Sequence, residues 1–110
     1  MARQEKGALP GSTTMLVLAL LKEQEMYGYQ IIEELEKRSN NVFRLKEGTL
    51  YPILHGLEKD RLVTAKEREA PSGRTRRYYR ITSGGLRVLE EKKEEWTVYS
   101  KAVTAILAGA

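Results

Sequence analysis

Glu47-Gly-Thr-Leu-Tyr-Pro-Ile-Leu-His-Gly-Leu-Glu-Lys59 has one hydrophobic rhythm, while Leu62-Val-Thr-Ala65 and Arg77-Tyr-Tyr-Arg-Ile81 have another. In the first segment Leu50, Ile53, Leu54 and Leu57 fall at i, i+3, i+4, i+7, the spacing of one buried helix face, so a helix is expected over roughly residues 47–60. Pro52 is harmless there if the helix effectively begins near Thr49; an earlier start loses one backbone hydrogen bond and bends the helix. The two later segments favour β-structure, and Ala70-Pro-Ser-Gly-Arg74 between them is a turn signal. They read as a two-stranded hairpin with a basic tip.

Upstream, Gly28, Ile31, Ile32 and Leu35 repeat the helical spacing, with Gln30, Glu33, Glu34 and Lys37 on the opposite face and Ser39-Asn40-Asn41 as the stop. Before that helix, Met15-Leu-Val-Leu-Ala-Leu-Leu21 is apolar on all sides, with Ser12 or Thr13 able to cap it. Such a helix is expected to be buried all round, against the domain's other elements and a partner subunit, with Leu16 and Leu20 in that partner contact. Residues 1–11, with Gly7, Pro10 and Gly11, read as a flexible arm. Thr82 can cap a last helix that runs to about Leu107.

Three helices, a basic hairpin and one further long helix give an α+β, mainly α class. The expected architecture is a winged helix-turn-helix with a two-stranded wing and a long C-terminal dimerisation helix. Residues 12–82 would be the DNA-binding domain and residues 83–110 the dimerising helix.

A chain of 110 residues is one domain, with 41% hydrophobic and 31% charged residues, which is a globular balance. It has no cysteine and a single histidine, His55, which excludes disulfides, thiolate sites and a multi-histidine metal site within one subunit. The longest apolar run, Met15 to Leu21, is far short of the roughly 20 residues needed to span a bilayer. Arg3 and Lys6 precede it as in a signal peptide, but no small-residue cleavage site follows, so a cytoplasmic location without membrane association is expected.

The net charge of +4 is unevenly spread. Residues 61–80 carry seven basic groups against Glu67 and Glu69, whereas residues 1–40 are acidic by one charge and the other segments are neutral. A local cationic excess of this kind suits a polyanion. The outer face of the third helix carries Thr49, Tyr51, His55 and Lys59, all hydrogen-bonding groups, and a helix fits the major groove of B-DNA. A solvated helix face would look the same in isolation; its place between an amphipathic helix and a basic hairpin favours DNA. Around the Gly73 turn, Arg74, Arg76 and Arg77 suit phosphate or a narrow minor groove.

No acid or nucleophile accompanies His55 in a recognisable motif, and Ser72-Gly73 and Ser83-Gly84-Gly85 are too short for phosphate-cradling loops, so no enzyme and no cofactor is expected. The rival from another class is a winged helix that docks an acidic protein partner without specific DNA binding. Exposed apolar anchors would favour that rival, and the third helix offers polar groups instead.

On the last helix Trp96, Tyr99, Val103, Ile106 and Leu107 form a coiled-coil-like seam, with Leu89 one heptad before Trp96. The same helix of a second subunit would cover it, giving a homodimer. Trp96 and Tyr99 could also stack on a planar aromatic effector between the subunits, although ordinary interface packing is the commoner reason for such residues.

The chain resembles the PadR family of bacterial transcriptional regulators. The motifs that carry the resemblance are Tyr27-Gly28-Tyr29, Glu47-Gly-Thr-Leu-Tyr-Pro52, Leu57-Glu-Lys-Asp-Arg-Leu-Val63 and Gly73-Arg-Thr-Arg-Arg-Tyr-Tyr-Arg-Ile-Thr82. The resemblance implies a homodimeric repressor on an operator of dyad symmetry, in a short branch some of whose members bind multidrug-like planar compounds. It implies that Thr49, Tyr51 and His55 face DNA, that Tyr29 and Lys46 hold phosphates, and that Gly73, Arg74 and Arg76 form the wing tip. Two positions depart from the family pattern. Arg61 stands where many relatives have glycine, and Thr75 where many have proline, which implies a more mobile wing.

Overall fold

The computed structural model describes residues 12–109; the arm expected over residues 1–11 lies outside them. The elements are α1 (Ser12–Glu23), β1 (Met26–Tyr27), α2 (Gly28–Arg38), α3 (Glu47–Lys59), β2 (Val63–Glu69), β3 (Thr75–Ile81) and α4 (Ser83–Leu107). The expected winged helix-turn-helix is present, with the long terminal helix. Among the described residues no helix is long and apolar enough to cross a membrane.

Both inner helices end in the same hydrogen-bonded motif. At the end of α2 the Asn41 amide donates to the Glu36 carbonyl at 2.8 Å, and Asn40 takes a left-handed φ of 59°. At the end of α3 the Leu62 amide donates to Leu57 at 2.9 Å and the Arg61 amide to Glu58 at 3.0 Å, with Arg61 at φ 60°. This is the Schellman arrangement, which satisfies carbonyls that a helix end otherwise orphans. The left-handed turn thus forms at Arg61 without glycine, at a conformational cost of about 1 kcal/mol.

α3 starts at Glu47, ahead of Pro52, so the Gly48 carbonyl loses the amide partner that a non-proline residue would supply. The hairpin strands are longer than the β-favouring stretches suggested, and pair from Val63–Ile81 to Glu69–Thr75. Their turn is closed by the Gly73 amide on the Ala70 carbonyl at 2.8 Å, with Gly73 at φ 88°, where a side chain would be strained. A third strand joins them. Met26 and Tyr27 pair with Tyr79 and Tyr78, giving the order β1-β3-β2.

The core gathers one face of each element: Val17, Leu18 and Leu21 from α1, Ile31 and Leu35 from α2, Leu50 and Leu54 from α3, and Tyr79 from β3. Two residues expected at a subunit interface belong to this core instead. Leu20 and Leu89 are only 5% and 1% exposed in the single chain, because α4 lays its first turns across α1 and fills the space between them. Leu16 is partly buried against the same cluster.

One junction bolts α4 to the end of α3. The Thr82 hydroxyl accepts from the Gly85 amide at 3.0 Å and faces the Arg61 and Leu62 carbonyls at 2.9 and 3.0 Å, donating to them. Gly85 is pressed against the Leu62 carbonyl, where a Cβ has no room.

Candidate nucleic-acid interface

The outward side of α3 follows from its buried one. With Leu50, Leu54 and Leu57 in the core, Gly48, Pro52, His55, Gly56 and Lys59 stand outermost and exposed, flanked by exposed Thr49 and Lys46. Sequence reading singled out Lys46, Thr49, His55 and Lys59 but passed over Gly48, Pro52 and Gly56. Those three fall at i, i+4, i+8, so they form a low ridge, and Cβ atoms at Gly48 and Gly56 would meet nothing within 4 Å. Their spacing was visible in the sequence; their outward direction needed the core.

Tyr51 differs from its neighbours. It is partly buried, leaning over the start of α2 so closely that its ring and hydroxyl occupy the place of any Cβ at Gly28. Burial, with the nearby Glu47 carboxylate, raises its phenol pKa above the ordinary tyrosine value. Glycine in Tyr27-Gly28-Tyr29 is therefore required by Tyr51.

Tyr51 floors a cleft of about 600 Å³ between the start of α2, α3 and the wing, lined also by Tyr29, Arg74, Arg76, Arg77 and the carboxylate residues Glu33 and Glu47. Five residues singled out from sequence thus meet on one concavity. Tyr29 is 53% exposed at its rim. Gly73 and Arg74 are exposed at the wing tip.

The basic excess of the wing is partly spent within the chain. Arg68 binds Glu25 at 2.8 Å and Arg80 approaches the same carboxylate at 3.9 Å. Arg77 binds Glu58 at 2.7 Å, and that carboxylate keeps its guanidinium protonated beyond the ordinary arginine range. Two stacks add to this: Arg76 lies 4.3 Å over the Tyr27 ring and Arg68 lies 4.0 Å over Tyr78. Among the described residues Arg61, Lys66, Arg74 and Arg76 of this window make no ion pair, and of these Arg74 and Arg76 line the cleft, where an outside anion can meet them. No sequence signal marks Glu25 or Glu58 as partners, because each lies far along the chain from its arginine. Among the described residues no cluster of acidic or histidine side chains could hold a metal ion.

A family model described as the transcriptional regulator PadR-like family matches residues 17–91, from α1 through the wing into α4. The chain belongs to the PadR-like family of transcriptional regulators. Its relatives in that family are regulators, not enzymes. The PadR-like chain is similar to a protein of Lysinibacillus sphaericus without an assigned role, 36% identical over 99 residues, covering 90% of this chain and 91% of that one. It is similar to a transcriptional regulator of Mycobacterium tuberculosis, 38% identical over 71 residues, 64% of this chain and 63% of that protein. Among solved structures it resembles a PadR family regulator from Eggerthella lenta, with TM-score 0.78 and 35% identity over 89% of this chain and 83% of that one.

Away from the cleft, the far half of this PadR-like regulator's α4 carries its apolar residues in the open. Trp96 is 39% exposed, Tyr99 51%, Ile106 77% and Leu107 80%, while Val103 is partly covered. The Trp96 and Tyr99 rings lie 6.2 Å apart and tilted by 32°, side by side on one face.

Proposed function

We propose that this regulator is a homodimeric repressor that binds an operator of dyad symmetry and blocks promoter access. The carrying observation is the shared surface of α3's exposed polar face and the cleft where Tyr29, Tyr51, Arg74 and Arg76 meet. In this reading α3 enters the major groove, with Thr49, His55 and Lys59 toward base edges and phosphates. Tyr29, Tyr51 and Lys46 hold the backbone, and Gly73, Arg74 and Arg76 bring the wing tip to the backbone or minor groove. Residues 12–82 are the DNA-binding unit and residues 83–110 the dimerising helix. The exposed stripe of Trp96, Tyr99, Ile106 and Leu107 supports the dimer, since an apolar helix face of this length is stabilised by a second copy. A planar aromatic effector between the two Trp96–Tyr99 pairs relieves repression by binding one arrangement of the dimer more tightly than the other. The site of action is the cytoplasm.

Gel-shift titration at fixed salt tests the reading. The double change Arg74→Ala/Arg76→Ala should weaken binding across all duplex sequences, because phosphate contacts carry no sequence information. Unchanged affinity would sink it. A wild-type chain that binds a protein partner and no duplex would favour a protein-docking role for the same wing.

A further inference from the structure

We infer that the Glu58–Arg77 ion pair is a strut that sets the angle of the wing against α3, so that Arg77 is a positioning residue and not a phosphate ligand. The inference rests on the DNA-binding reading above.

Glu58 lies in the last turn of α3 and Arg77 on β3, and the Arg77 Nη2 donates to Glu58 Oε2 at 2.7 Å. Nη1 of the same guanidinium lies 3.8 Å from Glu67 Oε2, on the residue directly opposite across the hairpin. Its carbon stands 5.9 Å from the ring centre of buried Tyr79. Two carboxylates and a ring therefore hold one planar fork, whose geometry resists rotation more than a lysine's single ammonium would. A phosphate approaching the Arg77 Nη2 would have to compete with Glu58 for it.

The position of the pair gives it leverage. Arg77 and Glu67 stand four ladder steps above the basal pair Val63–Ile81, about 13 Å out along the hairpin. Among the described residues this is the one side-chain hydrogen bond or ion pair joining α3 to the wing. Below it the wing is held by the short turn at Asp60–Leu62 and by β1, whose Met26 and Tyr27 pair with Tyr79 and Tyr78. Arg68 binds Glu25 one ladder step farther out, and toward the tip lie the unpaired cations Arg74 and Arg76. The strut thus adds to those ties the one polar link to α3 itself, and so adjusts where the tip cations fall once α3 is seated in its groove.

The test is fluorescence anisotropy of the full chain on a duplex selected from a random pool, repeated over a range of salt. Arg77→Gln and Glu58→Gln should each weaken binding about three- to fivefold, the factor that an exposed ion pair can carry. The direction at Glu58 is diagnostic, because removing a carboxylate from a DNA-facing surface should otherwise tighten binding. The slope of log affinity against log salt should stay at the wild-type value in both variants, whereas Arg74→Ala should reduce it by about 1. The reversed pair Glu58→Arg/Arg77→Glu should recover affinity to within about twofold, since it restores the strut.

A slope reduced by about 1 in Arg77→Gln, with Glu58→Gln neutral or tighter, would overturn the strut and make Arg77 a phosphate ligand. A wild-type chain that binds no duplex defeats the DNA reading itself. Amide hydrogen exchange of the free protein then decides the strut alone. Glu58→Gln should speed exchange in β2 and β3 near Glu67 and Arg77 while leaving α1 unchanged, and unaltered exchange there overturns it.

Discussion

Two glycines in comparable helices should respond in opposite ways to the same added methyl group. Gly85 sits in the first turn of α4, pressed on the Leu62 carbonyl and on Ile81 Cγ1. The Leu62 carbonyl cannot retreat freely, because it accepts from the Thr82 amide and faces the Thr82 hydroxyl, both at 3.0 Å. Gly85→Ala gains at most about 1 kcal/mol of helix propensity, against about 1–3 kcal/mol for overpacking and about 1 kcal/mol for a weakened hydrogen bond. A net loss near 2 kcal/mol is expected. Gly56 lies within α3 with open space around it, so Gly56→Ala should gain the propensity of about 1 kcal/mol and nothing opposes it. Urea unfolding of both variants at one chain concentration, so that any dimer equilibrium is held in common, should separate them by about 3 kcal/mol. Two shifts of the same sign would refute the reasoning, and a Gly85→Ala variant as stable as wild type would show that the α3–α4 junction is looser than described. Gly56→Ala should also weaken DNA binding despite its added stability, because it raises the low ridge of Gly48, Pro52 and Gly56.

Arg61→Gly should stabilise the chain by about 0.5–1 kcal/mol in the same unfolding assay, since it relieves a left-handed arginine at φ 60° while adding freedom to the unfolded state. Trp96→Ala should weaken self-association by about 2 kcal/mol in sedimentation equilibrium, and an unchanged dissociation constant would remove Trp96 from the interface. Planar aromatic compounds should quench Trp96 fluorescence and loosen operator binding together; quenching without an effect on DNA would leave a bystander site. Changes at Thr49 and His55 should alter preference among operators more than overall affinity, measured by competition between duplexes.

Much of this architecture was legible because its signals are local. The i, i+3, i+4, i+7 pattern of Leu50, Ile53, Leu54 and Leu57 marked α3, and the Pro-Ser-Gly turn marked the wing. Thr82 is both the expected and the observed cap of α4. What escaped sequence reading is what depends on distant pairing. β1 is two residues long, too short to show any alternation, and it exists because Tyr78 and Tyr79 offer a free edge. Leu20 and Leu89 looked like interface residues because periodicity finds an apolar face without naming what covers it. The cationic window at residues 61–80 was correctly located, but its effective charge was overstated, since Glu25 and Glu58 bind three of its arginines from outside the window. Tyr51 was expected to point outward, and helical spacing could not show that its ring leans over Gly28.

Selection of bound duplexes from a random pool by the wild-type chain tests the central claim most directly. The account predicts enrichment of an inverted repeat, with half-sites about one helical turn apart, roughly 10 base pairs, as two α3 helices on a twofold axis require. Enrichment of a single unrepeated site would contradict the dimer, and a pool that emerges unenriched at physiological salt would contradict sequence-specific DNA binding itself.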